Sequence, residues 1–521
     1  MNLMNHLPAL ALAVPLLAAF ATPLVAVVSP RGRNTWVTVI SLLVTLIVFA
    51  LLCRVISSGT QIYVMGAPSW NISLPSGFSI PVRIILEVDA FNALVAFIAS
   101  LSSLAGAFYG LKFLKKFTGL EFYSALYLLL TVGTLGMILT GDLFNFFVFL
   151  EVSSVASFGL IAYWRDRPEA VEASFKYMFV SQLAAQMVLI SLAFIYGRYG
   201  VLNMAAFSTR VQPDLVSKIV LVFLLVALGM KCGAFPMHMW MPDVYAEAPS
   251  SVTVLLVAMS QASLLVLCRF CFTLYGTAMG TAVIPWALII MGCLSMFGGV
   301  SMAVVQHEIK RLMGYHSVSQ VGYMLTAFGV GLLALGDKGA MSAYGLTAVT
   351  GGVYHMINYI LYKGLLFLCA GALYMAVGSR DLDKMGGLAR RMPLTSALFL
   401  IAAAAISGLP PFNGFASKWM IYESIYAVHP FLMVVALVSS VLTLASFVKV
   451  YQTAFLGPER PQFAEVREVP KSMIAGMVVL AVAILVFSLF PSWTVNTLVR
   501  PAAEALVNKA SYGAAVMGGV L

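Results

Sequence analysis

A charged side chain in the middle of an apolar run is costly, and this sequence has several. Glu151 follows Phe144-Asn145-Phe146-Phe147-Val148-Phe149-Leu150, and Lys231 ends the run Val220–Met230. Lys363 stands between Tyr359-Ile360-Leu361-Tyr362 and Gly364-Leu365-Leu366-Phe367. His355 precedes it by eight residues, about two helical turns, on nearly the same face. Lys418 lies just beyond Ser407-Gly408-Leu409-Pro410-Pro411. An ionised group at the centre of a bilayer costs roughly 2.5–3.5 kcal/mol on insertion scales, so such groups must be paired, hydrated or neutral much of the time. One carboxylate with several amines and an imidazole is the set that a proton path requires. Two unit charges about 4 Å apart interact by about 4 kcal/mol at an effective dielectric near 20, enough to decide which group keeps a proton. The bland alternative is a static Glu151–Lys231 ion pair that fixes helix register. It leaves His355, Lys363 and Lys418 unexplained.

Other polar residues carry weaker expectations. Asp243 and Glu247 are as well placed to cap helix ends as to admit ions, and His238 divides evenly between packing and path. His307 and His316 flank Glu308, Lys310 and Arg311, where a solvated loop end is the default. Lys176 lies inside the membrane or snorkels back toward Arg165 and Arg167. The six cysteines are scattered, and Cys268 and Cys271 form a lone CxxC in an apolar helix. Without a second pair they read as packing thiols, not as a metal or iron–sulfur site. No nucleotide, flavin, quinone-redox or metal motif stands in the chain, so no cofactor is expected.

The elements that hold these residues follow from composition. Of 521 residues, 61% are hydrophobic and 10% charged, against about 25% charged in a soluble chain. Mean hydropathy is +0.97. Such a chain cannot cover a water-facing surface with polar groups. At roughly 35 residues per helix and loop, its length allows about 14 or 15 crossings of a ~30 Å core. Apolar runs fall at 7–29, 35–57, 89–111, 121–140, 142–163, 173–196, 217–241, 249–276, 283–305, 314–336, 341–377, 395–428, 430–456 and 472–494. The chain is thus expected to be an all-α polytopic membrane protein of about 14 transmembrane helices. The stretch from Ser57 to Glu87, with Pro68, Pro75 and Pro81, reads as an extra-membrane loop with short strands. The N-terminus lacks a basic flank, so its first helix is expected to be retained.

The formal charge of +10 reflects loops, not nucleic-acid binding. Loops after odd-numbered runs carry Arg31, Arg33, Lys112, Lys115, Lys116, Arg165, Arg167, Lys310, Arg311, Arg380, Lys384, Arg390, Arg391, Arg460, Arg467 and Lys471. Loops after even runs carry only Arg54, Arg83, Arg198, Arg210, Lys218 and Lys338. The bias places the odd loops and their cations in the cytoplasm and both termini outside. Three runs are too long or too interrupted for plain helices: one broken around Lys231–Pro236, one at 341–377, and one broken at Gly408–Pro411. Breaks of this kind are tolerated where they line a polar cavity.

These segments have a recognisable pattern. Gly141-Asp142-Leu143-Phe144-Asn145 leading into Phe149-Leu150-Glu151 resembles the fifth-helix signature of Mrp-type sodium/proton antiporter subunits. That family includes the antiporter-like subunits of respiratory complex I and of membrane-bound hydrogenases. Lys231 through Asp243, followed by Glu247-Ala248-Pro249-Ser250, resembles its broken seventh helix. His307-Glu308-Ile309-Lys310-Arg311 through Gly322 is similar to its D-I-K-R stretch, His355 to Lys363 to its eleventh helix, and Gly408–Pro411 with Lys418 to its broken twelfth. The resemblance spans roughly 85–460 and leans toward the D-type or hydrogenase branch.

It implies 14 helices with two inverted five-helix repeats: 1–120 for the first three helices, 121–276 and 277–456 for the repeats, and 457–521 for the last helix and tail. It implies Glu151 and Lys231 as the coupled pair of a first half-channel, Lys310 and His355 as central relay members, and Lys418 as the terminal lysine of a second. Two positions depart from the family: Gln261 stands where a lysine or histidine is usual in the eighth helix, and Tyr359 where some members have a second histidine. Glutamine cannot be protonated, so the relay there would need water. The expected partners are other membrane subunits of an antiporter, complex I-like or hydrogenase assembly, together with protons, sodium and the bilayer of a prokaryotic plasma membrane. Two rival readings remain: a non-transporting scaffold, and a redox subunit binding quinone near His238.

Overall fold

The computed structural model describes residues 3–66, 72–73, 79–80, 84–114, 119–279 and 282–517. Pro68, Pro75, Pro81, Arg83, Lys115 and Lys116 lie outside the described residues. The chain is helical almost throughout, as its apolar runs require. In order come α1 (Leu7–Val28), α2 (Pro30–Ser58), α3 (Ala90–Phe113), α4 (Leu120–Leu139), α5 (Leu143–Ile161), α6 (Pro168–Tyr199) and α7 (Met204–Arg210). Next are α8 (Leu215–Cys232), α9 (Trp240–Glu247), α10 (Ser250–Cys268), α11 (Val283–Val304), α12 (Ile309–Leu333), α13 (Lys338–Ala340) and α14 (Leu346–Val377). The chain closes with α15 (Pro393–Ser407), α16 (Asn413–Val428), α17 (Pro430–Tyr451), α18 (Lys471–Leu489), α19 (Pro491–Thr494), α20 (Arg500–Val507) and α21 (Lys509–Met517). The loop between α2 and α3 holds the expected strands: β1 (Gln61–Val64) pairs antiparallel with β4 (Ile85–Val88), and β2 (Ile72–Ser73) with β3 (Ser79–Ile80).

Twelve helical stretches among the described residues are long and apolar enough to cross a membrane. Helix α12 has 25 residues but carries Lys310, Arg311, His316 and a Ser/Gln-rich face, which lowers its hydropathy. Helices α15 and α16 have 15 and 16 residues, each short of a full crossing. The run at 341–377 proves uninterrupted. A π-helical turn at Met341–Gly345 joins it to α13, and helix continues to Val377 with no proline inside.

The two expected breaks share one local geometry. Gly233 ends α8 and Gly408 ends α15, both with left-handed φ (75° and 76°), a conformation that costs glycine least. In each, the next residue's N–H reaches five residues back: Ala234 to Gly229 O at 2.9 Å, Leu409 to Ala404 O at 3.1 Å. Three residues past each glycine a proline follows a cis peptide, Phe235–Pro236 and Pro410–Pro411. Freed carbonyls find partners: Trp240 Nε1 donates to Met230 O at 2.8 Å, and Lys418 Nζ to Ile406 O at 2.9 Å.

Burial runs opposite to that of a soluble protein. Peripheral helices expose Leu17, Phe20 and Leu24 (α1), Phe175 and Phe179 (α6), and Val434 and Val441 (α17). Helix α10 is buried along its whole length and α14 from Ala348 to Leu373. Polar side chains concentrate on these inner helices, where lipid cannot reach them.

Candidate functional site

Helix α14 carries His355, Asn358, Tyr359, Tyr362 and Lys363. Their spacing of i, i+3, i+4, i+7 and i+8 puts all five on one face, and all five are fully buried. His355 is clamped between neighbours: Nδ1 lies 3.1 Å from Ser417 Oγ on α16, and Nε2 3.1 Å from Gln320 Oε1 on α12. Tyr362 donates to the same Gln320 oxygen at 3.2 Å. Asn358 donates to Asn413 O at 3.1 Å and accepts from Asn413 Nδ2 at 2.7 Å. Lys363 turns toward α12, where Nζ donates to Met313 O at 2.6 Å. His355 and Lys363 thus share a face but not a partner.

Lys418, on α16, donates to Ile406 O and to Ser440 Oγ at 3.0 Å, with Nζ 5.0 Å from the centre of the Tyr323 ring. The break in the α15–α16 pair therefore serves as its cradle. On the other side of the chain, Lys231 occupies the penultimate position of α8. Its ammonium donates to Ser154 Oγ on α5 at 2.6 Å and to Ser181 Oγ on α6, with the Tyr177 ring 5.5 Å away. Ser181 in turn donates to Ser154 at 3.2 Å. Glu151, one turn before Ser154, accepts from Gln182 Nε2 at 3.2 Å. Glu151 and Lys231 form no ion pair. Two serines and Gln182 stand where the static-pair alternative needed direct contact.

Lys310 lies in the first turn of α12, buried, with Nζ 2.5 Å from Ala248 O. Between the Lys231 and His355 clusters stand Gln261 on α10 and Tyr359 on α14. Gln261 Oε1 and Tyr359 OH have no hydrogen-bond partner among the described residues. Lys231, Lys310, Lys363 and Lys418 are all buried, and none forms an ion pair within 4 Å among the described residues, although Glu151 acts on Lys231, and Glu308 and Glu247 on Lys310, from further away. Neutral oxygens hold each of them.

Several accessory candidates have partners outside the lysine and histidine clusters. Lys176 is about half exposed and pairs with Glu172 (2.7 Å) and Asp243 (2.9 Å), not with the 165–167 loop. Asp243 also meets Arg311 at 3.2 Å. From there a ladder of alternating charges runs on: Arg311–Glu308 (3.8 Å), Glu308–Arg380 (3.5 Å), Arg380–Glu247 (2.9 Å) and Glu247–Arg167 (3.7 Å). Asp243 and Glu247 thus pair with cations and tie together loops that follow odd-numbered runs. His238 stacks on Phe235 with ring centres 5.1 Å apart and leaves Nδ1 without a partner among the described residues.

His316 departs from expectation. Helix α12 begins at Ile309, so His316 lies two turns inside it, fully buried, with Nε2 2.8 Å from Ser446 Oγ on α17. His307 remains exposed, 2.9 Å from Asp383. The hydroxyls and amides that hold the ionisable groups (Ser154, Ser181, Gln182, Gln320, Ser417 and Ser440) are not evident from charge alone. Their only signal in the sequence is polar residues recurring at helical spacing inside apolar runs, as at Ser153-Ser154 and Ser157.

Residues 140–443 match the family described as NADH:quinone oxidoreductase/Mrp antiporter, transmembrane. The chain belongs to this family. It is 32% identical over 523 residues to the N-type NADH-quinone oxidoreductase subunit of Desulforudis audaxviator, covering 95% of this chain and 98% of that one. It is 31% identical over 385 residues to the D-type Na(+)/H(+) antiporter subunit of Alkalihalophilus pseudofirmus, covering 73% and 75%. A chain of the Mrp complex from Dietzia sp. DQ12-45-1b superimposes with a TM-score of 0.86 at 26% identity, covering 99% of this chain and 100% of that one. Family membership and the apolar outer faces make this a multi-pass membrane protein, with relatives in antiporter and respiratory membrane assemblies.

Proposed function

We propose that the chain is a proton-translocating, antiporter-like subunit that moves protons through two half-channels, coupled to sodium/proton exchange. The observation that carries this reading is the set of buried lysines held by hydroxyls and carbonyls, with no carboxylate in direct contact among the described residues. A packing device would neutralise a buried cation with an acid, because an unpaired buried charge is strongly unfavourable. A relay needs the opposite: amines whose neutral forms are also well accommodated. Glu151, Lys231, His355, Lys363 and Lys418 carry the path in this reading, with Lys310 at one mouth and Gln261 and Tyr359 bridged by water. The antiporter name of one relative supports exchange for sodium, and the oxidoreductase name of another supports a redox-driven assembly whose redox groups lie in partner subunits.

The same reading counts α12 and the α15–α16 pair as crossings, giving fourteen. It takes the twin breaks as marks of two inverted repeats (121–276 and 277–456) flanked by 1–120 and 457–521. It places the ion-pair ladder in the cytoplasm, both termini outside, and the whole in a prokaryotic plasma membrane among other membrane subunits.

Lys231→Ala or Glu151→Ala, made in the intact complex, tests it. The expected result is normal assembly with proton flux abolished. Wild-type flux per assembled complex in either variant refutes the relay. Loss of assembly with unchanged flux per remaining complex favours a structural scaffold instead.

A further inference from the structure

The loop end that contains β1 and β4 holds a second cluster of buried charges, unused by the path above. Strand β4 lies against the turn that opens α5: Gly141 N–H donates to Ile85 O at 2.9 Å, and Leu86 bridges to Thr140. Glu87, on β4, is 0% exposed, and its carboxyl faces the Tyr512 hydroxyl, while the nearby Arg269 pairs with Asp89. It packs on Gly141 so closely that a Cβ there would lie 2.9 Å from Glu87 Cβ and 3.4 Å from its Oε2. Glycine in the Gly-Asp-Leu-Phe-Asn motif is thus the residue that leaves room for this carboxyl.

Two residues on, Asp89 caps α3 by accepting from Asn92 N–H at 3.0 Å, and its other oxygen meets Arg269 at 2.8 Å. Arg269 also donates to Asn92 Oδ1 at 2.7 Å and Thr273 Oγ1 at 3.3 Å, and lies 4.8 Å from the Tyr512 ring centre. Asp89 and Arg269 are both buried. With both carboxyls ionised the cluster would hold two negative charges against one positive. An uncompensated buried charge is relieved most cheaply by taking up a proton. Arginine cannot give one up, and Asp89 is engaged by both Arg269 and the helix start. Glu87 remains. A metal cation is poorly served here, because Arg269 already occupies the oxygens of Asp89, Asn92 and Thr273.

We propose that Glu87 is a proton-loading site at this end of the subunit, neutral at rest, which exchanges its proton during turnover at the mouth of the α5 half-channel. The proposal rests on the transport reading and adds a residue to it. Burial holds the Glu87 carboxyl well above the usual carboxylate range, with Arg269 opposing, Asp89 adding to the rise and the Tyr512 hydroxyl opposing. On the far side of Gly141, burial pushes Asp142, the cap of α5, up to about 6 against the N–H groups of Asn145 and Phe144. Two acids whose carboxyls burial holds above the usual carboxylate range thus flank one glycine at the entrance to the helix that carries Glu151.

The test uses the assembled wild-type complex and E87Q, which keeps the shape of the neutral acid. Infrared difference spectra of the wild type at neutral pH should contain a protonated-carboxyl C=O band that moves during turnover and is missing in E87Q. E87Q should assemble normally and lose at least tenfold in proton flux. E87Q with wild-type flux and pH profile would reduce Glu87 to a packing group and overturn the proposal. So would the absence of the band, which is read in the wild type even if E87Q fails to assemble. Failure of the transport reading is seen separately, as full flux in Lys231→Ala.

Discussion

If hydroxyls, not a carboxylate, hold the Lys231 proton, then removing the hydroxyls should slow transport without touching any charge. The ammonium has two hydrogen-bond acceptors, Ser154 Oγ at 2.6 Å and Ser181 Oγ. A hydrogen bond to a charged group is worth about 1.5–3 kcal/mol. At about 1.4 kcal/mol per factor of ten, Ser154→Ala or Ser181→Ala should each reduce proton flux by roughly ten- to a hundredfold. The two serines also bond each other at 3.2 Å, so the double variant should lose less than the product of the single losses. Ser157→Ala is the matched control. It lies one turn further along α5, donates to Ser153 O and touches Met259, not Lys231. The assay is dye-reported acidification of vesicles containing the whole complex, normalised to the amount assembled. A double alanine variant that assembles and transports at the wild-type rate would refute the claim that these hydroxyls hold the relay lysine.

Two further outcomes concern the scaffold. Gly414→Ala would drive a methyl into Ala405 O, a backbone atom at the α15–α16 break. Overpacking of this kind costs about 1–3 kcal/mol, occasionally more, so the purified complex should melt at lower temperature, whereas Gly197→Ala, with nothing within 4 Å, should not change it. Arg380→Ala removes the rung between Glu247 and Glu308. Breaking a buried pair costs about 3–5 kcal/mol and a partly hydrated one less, so thermal stability should fall by about 2–4 kcal/mol, and Arg380→Lys should recover part of it.

Much of the fold is legible because lipid imposes a simple code: long apolar runs, charges at their ends, and glycine or proline where the run breaks. The breaks at Gly233 and Gly408 are readable for that reason. The run at 341–377 reads as interrupted because its buried polar stripe imitates a break in hydropathy while leaving backbone hydrogen bonding intact. His316 is misplaced by its neighbours: Lys310 and Arg311 announce a helix end, but that end is Ile309, two turns away. The sequence sends Lys176 into the membrane or back toward the nearby Arg165 and Arg167, whereas its acidic partner Asp243 lies on α9, distant in sequence.

The sequence by itself determined that the chain lives in a membrane, that helices break at Gly233 and Gly408, and that Lys231, His355, Lys363 and Lys418 sit too deep to be solvated. Each of these follows from local composition, because the cost of placing a charge or a free carbonyl in hydrocarbon does not depend on topology. Only the tertiary structure decided what faces those groups. Ser154, Ser181, Gln320 and Ser417 reach the lysines and His355 across helix interfaces, and Asp89 meets Arg269 from far away along the chain. Partner choice is set by helix packing, and short polar side chains carry no hydropathy signal strong enough to reveal it in advance.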